Sequence, residues 1–262
     1  MAYQHSPEEL HKRVPHKLGP ELDFASAEAY KLLRTNLMFS FPNKEGGKIV
    51  GMTSPRPQDG KSFSSINLAY SLAEAGHNVI LIDGDMRRSS LASTLGKPLS
   101  PGLSNYLVGD AKDVIHKNVL HENLSLMTAG DPPPNPAELI GSERMQTVLD
   151  ALGKRYDYVI LDLPPVNLVS DPLVVSKYLD GIILVLRHTH SKQREIKEAV
   201  RQLQFVKARI VGFVYNGYNK KGSYRRSRYG RGSSYETYQN YGSYKSHNKP
   251  SAPSDKSKTE ES

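Results

Sequence analysis

The sequence contains no cysteine and no tryptophan among its 262 residues. Without cysteine, the chain has neither a disulfide framework nor a thiolate metal site, which fits a reducing compartment. Long apolar runs are also missing, because no stretch approaches the roughly 18 apolar residues that a membrane span needs. The segment from Met1 to Pro20 is polar and lacks the apolar core of a secretion signal. We therefore expect a cytoplasmic chain without a membrane span or secretion signal of its own.

A second deficit divides the chain near its C-terminal end. Residues 217–262 contain no Val, Leu, Ile, Met or Phe and consist mostly of Gly, Ser, Tyr, Lys, Arg and Asn. Ten basic and four acidic residues give this segment +6 of the chain's net charge of +8, so the rest is nearly neutral. Such a composition cannot bury a core. We predict an N-terminal extension over residues 1–24, one folded domain over 25–216 and a disordered tail over 217–262.

The folded domain has the pattern of an α/β protein with a mostly parallel sheet flanked by helices. Short runs rich in Val, Ile and Leu, as buried parallel strands should be, alternate with amphipathic stretches. The predicted strands are Ile49–Thr53, Asn78–Asp83, Leu124–Thr128, Tyr158–Leu163, Gly181–Leu186 and Ile210–Tyr215. The predicted helices are Ala25–Phe39, Ser62–Ala75, Met145–Leu152 and Ser191–Val206. For the first helix we expect Ser26 as N-cap, and an inner side formed by Ala29, Leu32, Leu33, Asn36 and Leu37.

A phosphate-binding loop is predicted between the first strand and the following helix. The segment from Thr53 to Ser62 ends in Gly-Lys-Ser, and this strand-to-helix context allows backbone N–H groups to face a phosphate. Lys61 would lie along the β and γ phosphates of ATP, and the Ser62 hydroxyl would bind Mg²⁺. The candidate nucleotide-binding residues in the loop are Asp59, Gly60, Lys61 and Ser62.

The loop departs from the common pattern at two positions. Pro55 stands where the first glycine is usual, and Gln58 replaces a second glycine that often precedes the lysine. Gly-Lys-Ser alone also occurs by chance in surface turns. The strand before it, the helix after it and the acidic residues described next favour a nucleotide site.

Three aspartates follow predicted strands at the edge of the sheet where the loop lies. Asp83 and Asp85 end one strand, and Asp162 ends another. With Mg²⁺ present, one carboxylate can bind the metal while another accepts the proton of an attacking hydroxyl. The competing interpretation is a pair of ordinary turns that end strands, which explains one acid more easily than two adjacent ones.

These motifs together resemble the bacterial tyrosine kinases that control capsule and exopolysaccharide synthesis, in particular the separate cytoplasmic kinase chains of Gram-positive bacteria (CpsD/CapB-like). The resemblance covers Ala25 to Asn216 and the tail. It is carried by Glu28–Asn36, Pro57 with Gly60–Ser62, Asp83–Arg87, Pro134–Leu139 and Asp162–Pro165. It implies a P-loop NTPase fold like that of MinD and ParA, with ATP and Mg²⁺ as cofactors.

The resemblance also implies roles for individual residues. Asp83 would be the base that receives the tyrosine proton, and Ser62 with Asp85 and Asp162 would hold Mg²⁺, although the division between Asp83 and Asp85 stays open. The catalytic candidates are Lys61, Asp83 and Asp85, and Asn216 is expected near the adenine. Glu28, Lys31 and Arg34 match a family helix used for self-association. The family has arginine where this chain has Lys31, which keeps the charge but loses the bidentate fork.

The tail carries the predicted phosphate acceptors. Seven of the fifteen tyrosines lie in it, in a Gly/Ser-rich setting where a kinase can reach each hydroxyl. The predicted phosphorylation sites are Tyr224, Tyr229, Tyr235, Tyr238, Tyr241 and Tyr244. Each phosphate adds about −1.5 to −2 charges beside the tail arginines. An Arg/Gly/Tyr-rich tail can also bind RNA or an anionic membrane, but the phosphate site disfavours an RNA-binding protein, and no nucleic acid is expected.

The expected activity is therefore an ATP-dependent tyrosine autokinase that acts on its tail in trans and regulates capsular or exopolysaccharide synthesis and export. By the resemblance, its partners are a membrane-spanning activator or polysaccharide co-polymerase chain, further copies of itself in an oligomer such as a ring, and a cognate tyrosine phosphatase. The activator would recruit it to the inner face of the cell membrane. The alternative is a MinD/ParA-like ATPase that switches its binding to a membrane or partner with nucleotide.

Overall fold

A central sheet organises the part of the chain that the computed structural model describes, residues 17–42 and 44–217. In this part the sheet has seven strands in the order β3-β4-β2-β5-β1-β6-β7, and only the β3–β4 pair is antiparallel. The strands are β1 Lys48–Thr53, β2 Val79–Asp83, β3 Ile115–His116, β4 Leu124–Met127, β5 Tyr158–Asp162, β6 Gly181–Arg187 and β7 Ile210–Asn216. The predicted tail tyrosines lie outside the described residues.

Eight α-helices are present in the described ranges and cover both faces of the sheet. They are α1 Phe24–Phe39, α2 Lys61–Glu74, α3 Leu91–Thr94, α4 Leu103–Val108, α5 Pro136–Ile140, α6 Glu143–Gly153, α7 Asp171–Val175 and α8 Gln193–Phe205. Short 3₁₀ turns occupy Gly19–Glu21 and Ser176–Tyr178. No helix within these ranges is both long and apolar enough to cross a lipid bilayer.

The core explains why the strands are almost continuously apolar. Successive side chains of a strand point to opposite faces, and here both faces are covered. Val50 packs in a buried cluster with Leu37 of α1 and Leu72 of α2. Its neighbour Ile49 packs on the other face with Leu149 of α6. The predicted α/β fold with a mostly parallel sheet is therefore confirmed, and all six predicted strands are present, each with one end shifted by a single residue.

Short elements escaped the sequence prediction, as did details of the first helix. The strand β3 and the helices α3, α4, α5 and α7 are too short to show a clear period. The N-cap of α1 is Asp23 rather than Ser26, because the Asp23 carboxylate accepts the Ser26 N–H at 3.1 Å. The inner side was wrongly assigned to Ala29, Leu32 and Asn36, since all three residues are exposed, Leu32 by 56%, whereas Leu37 is buried as predicted.

Candidate active site

The phosphate loop lies at the carboxyl edge of the sheet, between β1 and α2. β1 is flanked by β5 and β6, and β5 also pairs with β2. In that pairing, Asp83 and Asp162 are direct neighbours across adjacent strands. Because parallel strands end at the same edge, these acids converge on the loop. This is the place where open α/β sheets bind their ligands.

Gly60 is the N-cap of α2 and gives the loop its turn. Its φ of +93° lies in the left-handed region, which glycine adopts without steric cost. A Cβ at this position would collide with the side-chain amide of Asn216 at the end of β7. That amide also donates to the Asp59 carbonyl at 3.3 Å. Asn216 therefore packs directly on the backbone of the phosphate loop.

Lys61 and Ser62 begin α2 and point into the acidic edge. The Lys61 Nζ lies 3.2 Å from both Asp85 Oδ2 and Asp162 Oδ2. The Ser62 hydroxyl donates to Asp162 Oδ2 at 2.5 Å. Burial acts to lower the pKa of Lys61, but the charges of Asp162, Asp85 and Asp83 outweigh it and hold the pKa above its ordinary value. The lysine is therefore charged at neutral pH.

Asp83 is buried beside Asp162, its neighbour on the adjacent strand. Its side chain is fully buried, and it accepts hydrogen bonds from the Ser89 hydroxyl at 2.7 Å and from the N–H groups of Leu91 and Asp85, each at 3.2 Å. Burial raises the pKa of Asp83 to about 6, and the negative charge of Asp162 adds to the effect. Asp83 thus titrates closer to neutrality than an ordinary aspartate.

The Asp59 side chain turns away from Lys61 and Ser62. Its buried carboxylate accepts from His190 Nδ1 at 2.7 Å, from the Ser191 hydroxyl at 2.9 Å and from the Arg56 N–H at 3.0 Å. All three donors lie in the loop itself or in the segment that follows β6. Any contact between Asp59 and a phosphate must therefore use the main chain, because the carboxylate is already occupied.

Two further side chains, which the sequence prediction missed, donate hydrogen bonds to the predicted acids. Ser65, one turn after Lys61 in α2, donates to Asp162 Oδ1 at 3.0 Å. Ser89 contacts Asp83, as described above. The helical spacing between Lys61 and Ser65 could have suggested the first contact. Ser89 has no comparable local signal, because the loop conformation that brings it back to Asp83 is irregular.

The helix motif in α1 divides into an exposed and an inward part. Glu28 and Lys31 form an exposed ion pair with an N–O distance of 2.9 Å. The guanidinium of Arg34 instead turns toward α2, where it donates to the Ser71 carbonyl at 2.6 Å. Part of the side chain predicted for self-association is therefore engaged within its own chain.

A bidentate ion pair connects the motif Asp83–Arg87 to the start of α7. Arg87, which ends the Asp-Gly-Asp-Met-Arg segment, donates from Nε and Nη2 to the two carboxylate oxygens of Asp171 at 3.0 and 3.1 Å. Asp171 is almost fully buried at the start of α7. Two parallel hydrogen bonds to a carboxylate give geometric specificity as well as energy. The loop after Asp85 is thereby fixed to the segment that follows Asp162.

The side chains at the loop fit magnesium better than metals that need a full protein cage. Among the described residues, no three acidic or histidine side chains converge as a metal-binding group. The donors near Lys61 are oxygens of Ser62, Asp85 and Asp162. Mg²⁺ prefers such oxygens, and it usually takes one or two from the protein and the remainder from phosphates and water.

Comparisons with known proteins agree with this geometry. The AAA domain family matches residues 47–210. Tyrosine-protein kinase CpsD of Streptococcus agalactiae is 35% identical over 196 residues, which are 74% of this chain and 83% of CpsD. The chain belongs to the bacterial tyrosine kinase family. A solved member, the kinase domain of Escherichia coli ETK, is 31% identical with a TM-score of 0.72, covering 80% of this chain and 83% of that domain.

Other matches place this tyrosine kinase chain within a wider group. EpsB of Ralstonia nicotianae, assigned as a tyrosine-protein kinase, is 36% identical over 86% of this chain, but the chain spans only 30% of the length of EpsB. MinD of Pyrococcus horikoshii, solved with Mg-ADP, is 25% identical with a TM-score of 0.54, over 70% of this chain and 72% of MinD. The predicted MinD-like P-loop fold is confirmed.

Proposed function

We propose that this chain is an ATP-dependent protein-tyrosine kinase that transfers the γ-phosphoryl group of ATP to tyrosine hydroxyls, including those of its own tail. The observation that carries the proposal is the convergence of Lys61, Ser62, Asp85 and Asp162 at the phosphate loop. One buried cation beside two carboxylates and a hydroxyl suits a triphosphate and its metal. Membership in the tyrosine kinase family favours tyrosine rather than water as the acceptor.

The loop and helix α2 would bind the triphosphate. The backbone N–H groups from Asp59 to Ser62 would face the β-phosphate at the N-terminus of α2, where the helix dipole favours negative charge. Lys61, held charged by its acidic neighbours, would leave those carboxylates and lie along the β and γ phosphates. Asn216, which packs on the loop at Asp59, would line the adenine side of the site.

Three oxygen-bearing side chains would hold magnesium. The hydroxyl of Ser62 lies against Asp162, and Asp85 faces them across Lys61. When bound with ATP, Mg²⁺ would neutralise charge on the β and γ phosphates. Each of these residues would contribute directly or through a water molecule.

Asp83 would exchange one of its present hydrogen bonds for the hydroxyl of the attacking tyrosine and accept its proton. The tyrosine oxygen forms a bond to the γ-phosphorus, the bond from that phosphorus to the β–γ bridging oxygen breaks, and ADP leaves. A base acts best when its pKa lies near the working pH. The pKa of Asp83, about 6, leaves the carboxylate ionised at neutral pH and makes it more basic than an ordinary aspartate.

The substrate would be the tail of a second copy, phosphorylated in trans. The acceptors would be Tyr224, Tyr229, Tyr235, Tyr238, Tyr241 and Tyr244. Glu28 and Lys31 on the outer side of α1, together with Arg34, would contribute to the contact between copies. A membrane-spanning activator chain would bring the kinase to the inner face of the membrane, a phosphatase would reverse the reaction, and the cycle would regulate capsule or exopolysaccharide export.

Mapping of phosphotyrosine by mass spectrometry after incubation with Mg-ATP tests the proposal. The full chain is compared with Lys61→Met, with a variant in which the six predicted acceptor tyrosines of the tail are phenylalanine, and with Lys154→Met. Lys154 is an exposed lysine at the C-cap of α6, so its replacement removes the same charge away from the loop. A peptide from the activator's cytoplasmic end is included in parallel samples.

Phosphate on the tail of the wild-type and Lys154→Met chains, and none on Lys61→Met, is the expected result. ATP consumption without phosphotyrosine in any sample would refute the kinase and leave the nucleotide-switched ATPase as the better account. Phosphotyrosine that persists in the six-phenylalanine variant at the wild-type level would keep the kinase but refute these six tyrosines as its main acceptors.

A further inference from the structure

The phosphate loop contains a backbone conformation that its sequence does not favour. Gln58 has a φ of +67°, in the left-handed region where a side chain is strained and glycine is not. This is the position at which the common loop pattern often has glycine. Strained residues of this kind persist only where the surrounding structure holds them. The contacts of Gln58 and its neighbour Asp59 show which residues hold Gln58 in this conformation.

A single segment after β6 contacts the loop at consecutive residues. Arg187 donates from Nη1 to the Gln58 carbonyl at 2.9 Å. His190 and Ser191 both donate to Asp59 Oδ1, at 2.7 and 2.9 Å. We call residues 187–191 the brace. The brace is itself ordered, because the Ser191 hydroxyl also accepts the Arg187 N–H at 2.8 Å.

His190 provides the shortest of these contacts and has a defined tautomer. A carboxylate accepts hydrogen bonds and does not donate them, so the Nδ1 that faces Asp59 carries a hydrogen. Asp59 is fully buried, whereas the His190 side chain is one-third exposed. A buried carboxylate that loses a donor is left partly unsatisfied. A movement of Asp59 toward other donors would relieve this, and it would carry the adjacent Gly60 and Lys61 with it.

We propose that His190 is a positioning residue for nucleotide binding, which holds the strained Gln58-Asp59 segment in the conformation that presents the loop to phosphate. The proposal rests on the proposed nucleotide site and adds to it a residue that touches neither ATP nor metal. Because Gln58 takes the place of a glycine, this chain needs a brace that a loop with glycine there would need less.

The affinity for Mg-ADP, measured by titration calorimetry on the full chain, tests the proposal. His190→Ala removes the donor, and His190→Asn retains one, because Asn Nδ2 and His Nδ1 are the same number of bonds from the backbone. Gln58→Gly removes the strain, and Gln58→Gly/His190→Ala completes a double-mutant cycle. Ser191→Ala removes the second donor as an independent variant. Gln193→Ala is the matched control, since Gln193 is an exposed residue just after the brace.

We expect His190→Ala to weaken Mg-ADP binding about 10-fold, the effect of one lost hydrogen bond to a charged group. His190→Asn and Gln193→Ala should remain within about 2-fold of wild type. In the Gln58→Gly background, the loss caused by His190→Ala should shrink to about 3-fold or less, because the loop no longer depends on the brace. Ser191→Ala should weaken binding in the same direction as His190→Ala.

Three results would overturn the proposal: wild-type affinity in both His190→Ala and Ser191→Ala, no rescue by His190→Asn, or an equal loss in the glutamine and glycine backgrounds. Thermal unfolding of every variant identifies a general loss of structure, which would weaken binding equally in both backgrounds. Lys61→Met distinguishes a failure of the proposed nucleotide site from a failure of the role of His190. If Lys61→Met binds Mg-ADP like wild type, the proposed nucleotide site itself fails, whatever the His190 variants do.

Discussion

Replacement of Asp83 by asparagine should make the nucleotide-free protein more stable while it abolishes tyrosine phosphorylation. Asp83 is fully buried, and burial together with the charge of Asp162 raises its pKa from 3.8 to about 6. The folded chain therefore binds the proton of the Asp83 carboxyl group more tightly than the unfolded chain does. Ionisation of Asp83 costs stability as the pH rises from 3.8 to 6, and the cost is complete above that range.

The magnitude follows from the size of the shift. About two pKa units at about 1.4 kcal/mol each correspond to about 3 kcal/mol at pH 7.5. The asparagine oxygen can still accept hydrogen bonds from Ser89 and Leu91. Its NH₂ group, however, would face the Asp85 N–H, which in the wild-type chain donates to Asp83 Oδ1. Loss of this hydrogen bond offsets about 1 kcal/mol of the gain in stability. A net gain of about 2 kcal/mol raises the melting temperature of a domain of this size by about 4–8 °C.

Thermal unfolding followed by circular dichroism, without nucleotide or magnesium, measures this effect. The comparison is made at pH 7.5 and at pH 4, where the cost of ionising Asp83 falls below about 1 kcal/mol and the gain should vanish. Asp150→Asn, at an exposed position of α6, controls for the removal of one negative charge. The reasoning is refuted if Asp83→Asn melts at or below the wild-type temperature at pH 7.5, or if its melting temperature rises equally at both pH values.

Two further predictions use matched pairs of substitutions. Gly60→Ala should abolish Mg-ADP binding in a calorimetric titration, because the added Cβ would collide with the Asn216 amide. Gly76→Ala should retain binding, since Gly76 has a similar φ of +88° but open space around the position of the Cβ. Loss of binding in both variants would refute the role of the collision. Arg34→Ala should lower the free energy of unfolding by about 1–2 kcal/mol, because the partly buried hydrogen bond to Ser71 is lost. Lys31→Ala should change the free energy of unfolding by less than about 0.5 kcal/mol, since exposed ion pairs contribute little. Equal losses for the two variants in urea denaturation would contradict the inward role of Arg34.

The central part of the fold could be predicted because its signals are local. Each buried strand is a run of apolar residues that neighbours on both faces require, so the six longer strands are visible in the sequence. The phosphate loop is marked by Gly60, Lys61 and Ser62 between a strand and a helix. The acids could be placed beside that loop because each ends a parallel strand, and parallel strands end at one edge of the sheet.

The tertiary structure decided which of these polar residues face the site and which support it. The sequence places Asp59 among the phosphate contacts, yet its carboxylate meets His190, which is 131 positions away along the chain. Arg34, placed in a self-association motif, contacts Ser71 of α2. Such contacts join elements that are distant in sequence, and no periodicity or spacing encodes them. They depend on the order in which the strands pack, because that order brings the ends of β1, β6 and β7 together around the loop.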